Sequence, residues 1–356
     1  MTTKKLKVGM IGLGEQSTDN LLPALLLSSY ARVIAICDID PGRLQKIGME
    51  KGIPGLYIDF REMLDKEALD AVVVCSFPEI HYEVARYAIA KGIHVFVEKP
   101  PVSNISQLND LIDLSVEKGV RTGVGMNFSY TDCHEIISNV IREDEFGDMS
   151  FISIEHISSK PTSPLWDLDS VMESFLLAQL IHPLDYILSL GGKYNALNVY
   201  CSGGLSSIFM QIMIEFENAV IGCLKCGTFY PRFKHTIEVV SKNGNTITVR
   251  DLSLIEVTQK NGNAPFGLKS KNCATIFTPS PLKAGYSKAG YGRELDTFFQ
   301  NILFGHPYRH SFVHMLPVYE ILAKIGSLLR EKEGDTHNII DPPLNIHHYA
   351  TSYLSQ

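Results

Sequence analysis

Residues Asp70 to Cys75 read DAVVVC, apolar at every position after the first and too short for a helix. A strand with one wet face alternates polar and apolar side chains, so a strand apolar throughout has both faces covered, as in a parallel sheet wrapped by helices. The flanking sequence keeps that rhythm. Leu6 to Ile11, Arg32 to Cys37 and His94 to Val97 are further short strand-like runs. Between them lie helical spacings: Leu21, Leu22, Leu25 and Leu26, then the segment around Glu62 to Leu64, then Val84, Ala88 and Ile89 running to a Gly92 cap. Pro23 falls inside the first helix and is expected to bend it. The alternation predicts an α/β fold with an N-terminal Rossmann doubly wound parallel sheet, on which ligands lie beyond the carboxyl ends of the strands.

The strand ends carry suitable chemistry. After Ile11 comes Gly12-Leu13-Gly14-Glu15-Gln16-Ser17, a dinucleotide fingerprint of the form GxGxxS. Gly12 permits the tight turn, Gly14 lets the backbone approach a pyrophosphate at the positive end of the next helix, and Ser17 stands where a third glycine or alanine usually allows close packing. Taken alone, the pattern also suits a purely structural turn. Asp38 follows the second strand, where a carboxylate accepts from both ribose hydroxyls and repels a 2'-phosphate. This favours NAD, while the nearby Arg43 keeps NADP open. Asp38 is equally readable as a solvated turn acid in DIDPG. The next two ends supply Ser76-Phe77-Pro78-Glu79-Ile80-His81 and, within GIHVFVEKPPVSN, Glu98, Lys99 and Pro100. A lysine buried beside an oxidised nicotinamide has its ammonium form disfavoured and can act as base toward a substrate hydroxyl. Glu98 is expected to point away from Lys99 by strand alternation and to shape the cofactor side.

The run DAVVVCSFPEIHYEVARYAIAKGIHVFVEKPPVSN resembles the Gfo/Idh/MocA oxidoreductases, whose strand-TP-x-x-x-H helix leads into a G-K-H-V-x-x-E-K-P segment; the likeness extends over nearly the whole chain. The resemblance implies hydride transfer at a sugar or cyclitol carbon, with Lys99 beside the nicotinamide and the substrate hydroxyl. It places Ser76 at the family's threonine, Phe77 at its proline, and brings His81 into a cofactor-binding set with Gly12, Leu13, Gly14, Ser17, Asp38, Glu98 and Lys99. Phe175 to Asp185, FLLAQLIHPLD, is similar to the family's D-x-G-x-H-x-x-D helix. His182 and Asp185 match, whereas Ala178 replaces the leading aspartate and Leu180 the glycine. In relatives the aspartate orients the histidine, so His182 is expected to act catalytically with Lys99, and Asp185, one turn away, is available as a partner. On composition alone, a histidine on an apolar helix is more often a core residue.

At 356 residues the chain exceeds the usual single core, and a division into 1–126 and 127–356 is expected. In the second part, Met149 to His156, Ala196 to Tyr200, Ile208 to Phe216, Val220 to Thr228, His235 to Ser241 and Thr246 to Arg250 read as strands in hairpin order, with Glu217-Asn218 and Asn243-Gly244 as turns. They predict a C-terminal α+β domain with an open, mostly antiparallel sheet. Its uncovered face suits a homodimer or homotetramer, an assembly the resemblance also implies. At the crossing between the halves, Ser129 stands where relatives often carry arginine, and the Asn127 amide suits either the nicotinamide or substrate, or loop backbone. Trp166, in the loop PTSPLWDLDS, and Tyr230, near Arg232 and His235, are the aromatic candidates for a polyol pocket, with Asn127 and Asp185. Leu295, Phe298, Phe299 and Ile302, and the helix from Leu316 to Leu329, read as core; His347 and His348 suggest no mechanism.

A formal charge of -7 and a pI near 5.9, without a basic stripe, argue against nucleic acid as a direct partner. No apolar run approaches the length of about 18 residues that spans a membrane, and MTTKKLKVGMIG passes straight into a strand and turn, so a cytoplasmic protein is expected. Seven cysteines, odd in number and scattered, do not suggest a disulfide framework. Cys223 and Cys226 lie at odd spacing in a strand and face opposite ways, which argues against zinc. The leading expectation is an NAD-dependent dehydrogenase or reductase of a sugar, cyclitol or related polyol, with no metal. Two other readings stay open: a cofactor-binding sensor or corepressor, given the departures at Ala178, Ser129 and Ser17, and an NAD-assisted elimination enzyme on the same fold.

Overall fold

The computed structural model describes residues 5–202, 208–228, 230–260, 272–278, 280, 285–330 and 337–341. The first half supplies β1 (Leu6–Ile11), β2 (Ala31–Cys37), β3 (Gly55–Tyr57), β4 (Ala71–Val74), β5 (His94–Glu98) and β6 (Thr122–Gly125). They form one sheet in the order β3-β2-β1-β4-β5-β6, every neighbouring pair parallel. All of β4 is inaccessible, as its unbroken apolar run requires. The order reverses between β1 and β4, so a crevice opens beyond their ends.

Pro23 does not bend a continuous helix. The chain makes a π-helical turn over Ser17–Leu21 and restarts as Leu22–Leu27, which puts Pro23 in a first turn, where a missing amide hydrogen is tolerated. Later helices start on local signals. Asp40 caps Pro41–Lys51 by accepting from the Gly42 and Arg43 amides, and Asn104 caps Ile105–Lys118 by accepting from the Gln107 amide.

The second half supplies β7 (Met149–Ile157), β8 (Tyr194–Ser202), β9 (Phe209–Phe216), β10 (Ile221–Gly227), β11 (Lys234–Ser241), β12 (Thr246–Arg250), β13 (Leu254–Lys260), β14 (Asn272–Phe277) and β15 (His337–Asp341). The sheet order is β14-β13-β12-β11-β7-β10-β9-β8-β15, and the last three strands in sequence extend it past the segments that periodicity picks out. One junction breaks the antiparallel pattern: β7 and β10 are parallel. β10 pairs with its hairpin partner β9 on one side, so β7 takes its other edge and lies away from β8, its successor in sequence. Ile152, Ile154, Leu224, Ile237 and Val239 are buried on the inner face, which packs on the helix Ile181–Gly191. Cys226 shares that face and is buried, while Cys223 is only half-buried on the other, as alternation requires.

The helix Tyr291–Phe304 returns to the first sheet, with Leu295, Phe298 and Phe299 inaccessible and the Phe298 ring 5.6 Å from that of Phe96 in β5. Gly123 in β6 permits this approach, because a Cβ there would lie 2.8 Å from Phe96 and 3.0 Å from Phe298. The helix Phe312–Arg330 packs on Ile105–Lys118 and Ile181–Gly191, between the two sheets. Residues beyond 126 therefore enter the cores of both sheets. Among the described residues no helix is long and apolar enough to cross a membrane. His347 and His348 lie outside the described residues.

Candidate active site

A cleft of about 850 Å³ opens where β1, β2, β4 and β5 end, and the second half closes its far side. The glycine turn after β1 forms its floor. Gly12 has φ +86°, and a Cβ there would stand 2.1 Å from the Cys75 carbonyl oxygen, so this glycine is required by the packing of the turn on the end of β4. Gly14 differs: a Cβ on it would meet nothing within 4 Å, which leaves its flank open to a ligand at the start of the following helix. Asp38 is fixed beside the turn. Its Oδ2 accepts from the Leu13 amide at 2.7 Å and its Oδ1 from the Asp40 amide at 2.8 Å, while the Arg43 guanidinium lies 3.3 Å away. A carboxylate has about four acceptor sites, and the long contacts to the half-exposed Arg43, 3.3 and 3.4 Å, are the ones that ribose hydroxyls could replace. Asp38 is thus more than a solvated turn acid.

Three residues expected at the cofactor do not line the cleft. Leu13 buries its side chain and contributes only its amide to Asp38. Ser17 is inaccessible and donates to the Gly12 carbonyl at 2.6 Å, closing the turn from behind. His81 is also inaccessible: its Nε2 accepts from the Ser76 amide at 2.7 Å, which leaves the proton on Nδ1 to be donated to the Pro100 carbonyl at 2.8 Å. Burial pushes its pKa down to about 4, so it stays neutral and ties the end of β4 to the turn after β5. Ser76 itself lines the cleft with Cys75 and Phe77.

At the end of β5, Glu98 and Lys99 form no ion pair with each other, in keeping with alternation. The Glu98 carboxylate instead accepts from the Lys99 backbone amide at 2.6 Å and from Gln16 Nε2 at 3.3 Å, and Gln16 also donates to the Tyr291 hydroxyl at 2.7 Å. Gln16 therefore couples the glycine turn, β5 and the returning C-terminal helix. Burial raises the Glu98 pKa against the pull of Lys99, and lowers that of Lys99 against the pull of Glu98 and Cys75. Lys99 Nζ reaches across the cleft and donates to the Ala178 carbonyl at 3.2 Å.

That carbonyl belongs to a second π-helical turn, Leu176–Leu180, which precedes the helix Ile181–Gly191. Pro183 in the first turn of that helix has no amide hydrogen, so a carbonyl one turn back lacks its helical donor. The backbone of Ala178 thus meets Lys99 at the place where the resemblance leads one to look for an aspartate side chain. His182 lines the cleft with its ring stacked on Phe128, centroids 4.6 Å apart. Its Nδ1 is buried without a partner, and burial together with the charge of Lys99 holds its pKa well below the ordinary value.

Asp185 does not partner His182 and does not reach the cleft. It accepts from His310 Nε2 at 3.1 Å and from Ser129 Oγ at 3.4 Å, because His310, itself fixed by the Tyr130 hydroxyl, fills the space beside it. Tyr230 is exposed outside the cleft, since its amide bonds Ser158 and turns the chain outward; nearby Phe233 lines it instead. Trp166 lines the cleft as expected, and Asn127 does so while its amide donates to the Ala289 carbonyl at 2.8 Å.

His156 and Gln179 were not legible as site residues, yet both line the cleft. His156 Nε2 lies 3.2 Å from Gln179 Oε1, and its Nδ1 lies 3.0 Å from His235 Nδ1 across the β7–β11 register. A signal existed. Both histidines fall on the buried parity of their strands, in step with Ile154 and Ile237, where a polar side chain is unusual.

Residues 6–126 match the model of an oxidoreductase family with an NAD-binding Rossmann fold, Gfo/Idh/MocA. The crystal structure of a dehydrogenase from Chromobacterium violaceum is 31% identical, with a TM-score of 0.88 over 92% of this chain and 96% of that one. The myo-inositol 2-dehydrogenase of Thermotoga maritima is 23% identical over 85% of this chain and 90% of its own length. The chain spans about half the length of other curated relatives it matches. A levoglucosan dehydrogenase solved with NADH and L-sorbose shares the fold at 18% identity, with a TM-score of 0.80 over 96% of this chain and all of that one.

Proposed function

The chain belongs to the Gfo/Idh/MocA oxidoreductases, and on that premise we propose that it transfers hydride between NAD and a hydroxyl-bearing carbon of a sugar, cyclitol or related polyol. The observation that carries this reading is Lys99, an amine with a depressed pKa held at a strand end in the cleft that also contains Gly14 and Asp38. NAD, when bound, supplies the hydride acceptor, and NADH the donor. The rest falls to the protein. Asp38 accepts from the adenosine ribose, the open flank of Gly14 admits the pyrophosphate, and Ser76 and Glu98 shape the nicotinamide side. A carbinol that gives up hydride must also lose its hydroxyl proton, which the amine form of Lys99 takes; in reduction the ammonium form returns it. The hydrogen bond to the Ala178 carbonyl fixes where that nitrogen sits. His182 contacts the same substrate oxygen. Residues 1–126 serve the cofactor and 127–356 the substrate, apart from the helix Tyr291–Phe304, which buttresses the cofactor half.

The outer face of the second sheet carries half-buried Phe151, Met213 and Ile221 and is the proposed interface of a homodimer or homotetramer. A cytoplasmic location, where nicotinamide cofactors are pooled, goes with the same reading. The test is NADH titration followed through Trp166 fluorescence, then absorbance at 340 nm with a panel of sugars and cyclitols. Saturable quenching and NAD reduction by a panel member are expected; saturable quenching without turnover on any member would remove the dehydrogenase assignment.

A further inference from the structure

We propose that the substrate carries a carboxylate in addition to its reacting hydroxyl, and that Gln179 reads it through an amide fixed as a donor by the buried His156–His235 pair. The proposal rests on the oxidoreductase reading and narrows its substrate class.

The first observation is how charge is divided. Every carboxylate lining the cleft, Glu15, Asp38 and Glu98, lies on the cofactor side. The substrate side has Asn127, His156, Lys160, Trp166, Gln179 and His182 as its nitrogen-bearing side chains and no acid. With no acid on this side, a carboxylate of the substrate would meet no like charge there. Lys160, exposed at the rim, forms no ion pair among the described residues.

The second observation is a chain of protons with one consistent order. Gln179 Oε1 can only accept, so His156 Nε2 carries a hydrogen and donates to it. Burial keeps His156 neutral, its pKa pushed down to about 4, so its Nδ1 is a lone pair. That lone pair accepts from His235 Nδ1, which leaves His235 Nε2 as the unpartnered buried nitrogen found at the end of the chain. The amide oxygen of Gln179 is thereby held by His156, and its NH2, without a partner among the described residues, is the end left for the cleft. A neutral amide and a rim ammonium together suit a carboxylate, which accepts strongly from both. A carboxylate at position 179 would reverse this preference.

The test uses matched pairs, sugar acids and the corresponding neutral polyols, with the NADH complex by titration calorimetry and with NAD by turnover. The acid is expected to bind at least about tenfold more tightly than its neutral partner. Gln179→Glu is expected to abolish that margin while NADH affinity stays unchanged. His235→Phe, acting through His156, is expected to raise KM for the acid several-fold with kcat nearly preserved, a split that a merely structural role would not produce. Equal or tighter binding of neutral polyols, or an unchanged margin in Gln179→Glu, would overturn the proposal. Acid selectivity in binding without any oxidation would uphold it and instead remove the oxidoreductase reading, whereas turnover of neutral polyols with no acid binding would do the reverse.

Discussion

The two sides of the cleft are built differently. On the cofactor side, polar groups are tied down locally: Asp38 to two amides, His81 to an amide and a carbonyl, Glu98 to an amide and Gln16. On the substrate side, buried nitrogens stand unpartnered, among them His182 Nδ1 and His235 Nε2. A frame that holds one constant ligand can satisfy its own hydrogen bonds, whereas a wall that selects a variable one keeps groups in reserve. The contrast is open to direct attack.

The largest effect should come from the glycine turn. Gly12→Ala drives a Cβ into the Cys75 carbonyl at positive φ and is expected to cost about 3 kcal/mol or more, seen as a fall in melting temperature. Gly14→Ala is expected to leave the melting temperature unchanged and to weaken NADH binding about tenfold, because its methyl fills the open flank. Equal melting temperatures for the two variants would erase the distinction between frame and cradle.

Acid should weaken both sides together. His81 and His156 are buried neutral, with folded-state pKa values pushed to about 4 from 6.5. Above 6.5 neither folded nor unfolded chain holds the extra protons, and stability is at its full value. As pH falls from 6.5 toward 4 only the unfolded chain takes them up, so stability drops, on the order of 3 kcal/mol for each group. Denaturant melts across that window are expected to show the decline, and a flat profile would contradict the neutral assignments.

A smaller effect follows from Asp185→Asn. The amide oxygen still accepts from His310, so a loss of about 1–2 kcal/mol in stability is expected, with kcat within a few-fold of wild type because Asp185 does not touch His182. Tyr230→Ala, outside the cleft, should change KM less than about twofold and stability by no more than about 0.5 kcal/mol. A large rise in KM would place Tyr230 in the substrate wall after all.

The same contrast explains what could be read from the sequence. The order β1, β2, β4, β5 and the chemistry at each end are local: an apolar run, then a glycine, an acid, a serine or a lysine within a few residues. Pro23 was misjudged because a proline can be absorbed by a π-helical turn as well as by a bend, and the same device at Pro183 frees the carbonyl that receives Lys99. Asp185 looked like a partner for His182 from helical spacing, but spacing does not reveal His310, brought in from a distant segment. His156, Gln179 and His235 meet only through the β7–β11 register and the packing of a helix on the sheet, so no short window of sequence contains them.

The central claim is that Lys99 moves the proton and the cofactor side holds NAD without it. Lys99→Met, assayed for both turnover and NADH affinity on the same preparation with any accepted substrate, tests this most directly. A fall in kcat of about a thousandfold with the NADH dissociation constant unchanged within about twofold is predicted. Near-normal turnover in this variant, or loss of NADH binding in step with loss of activity, would contradict it.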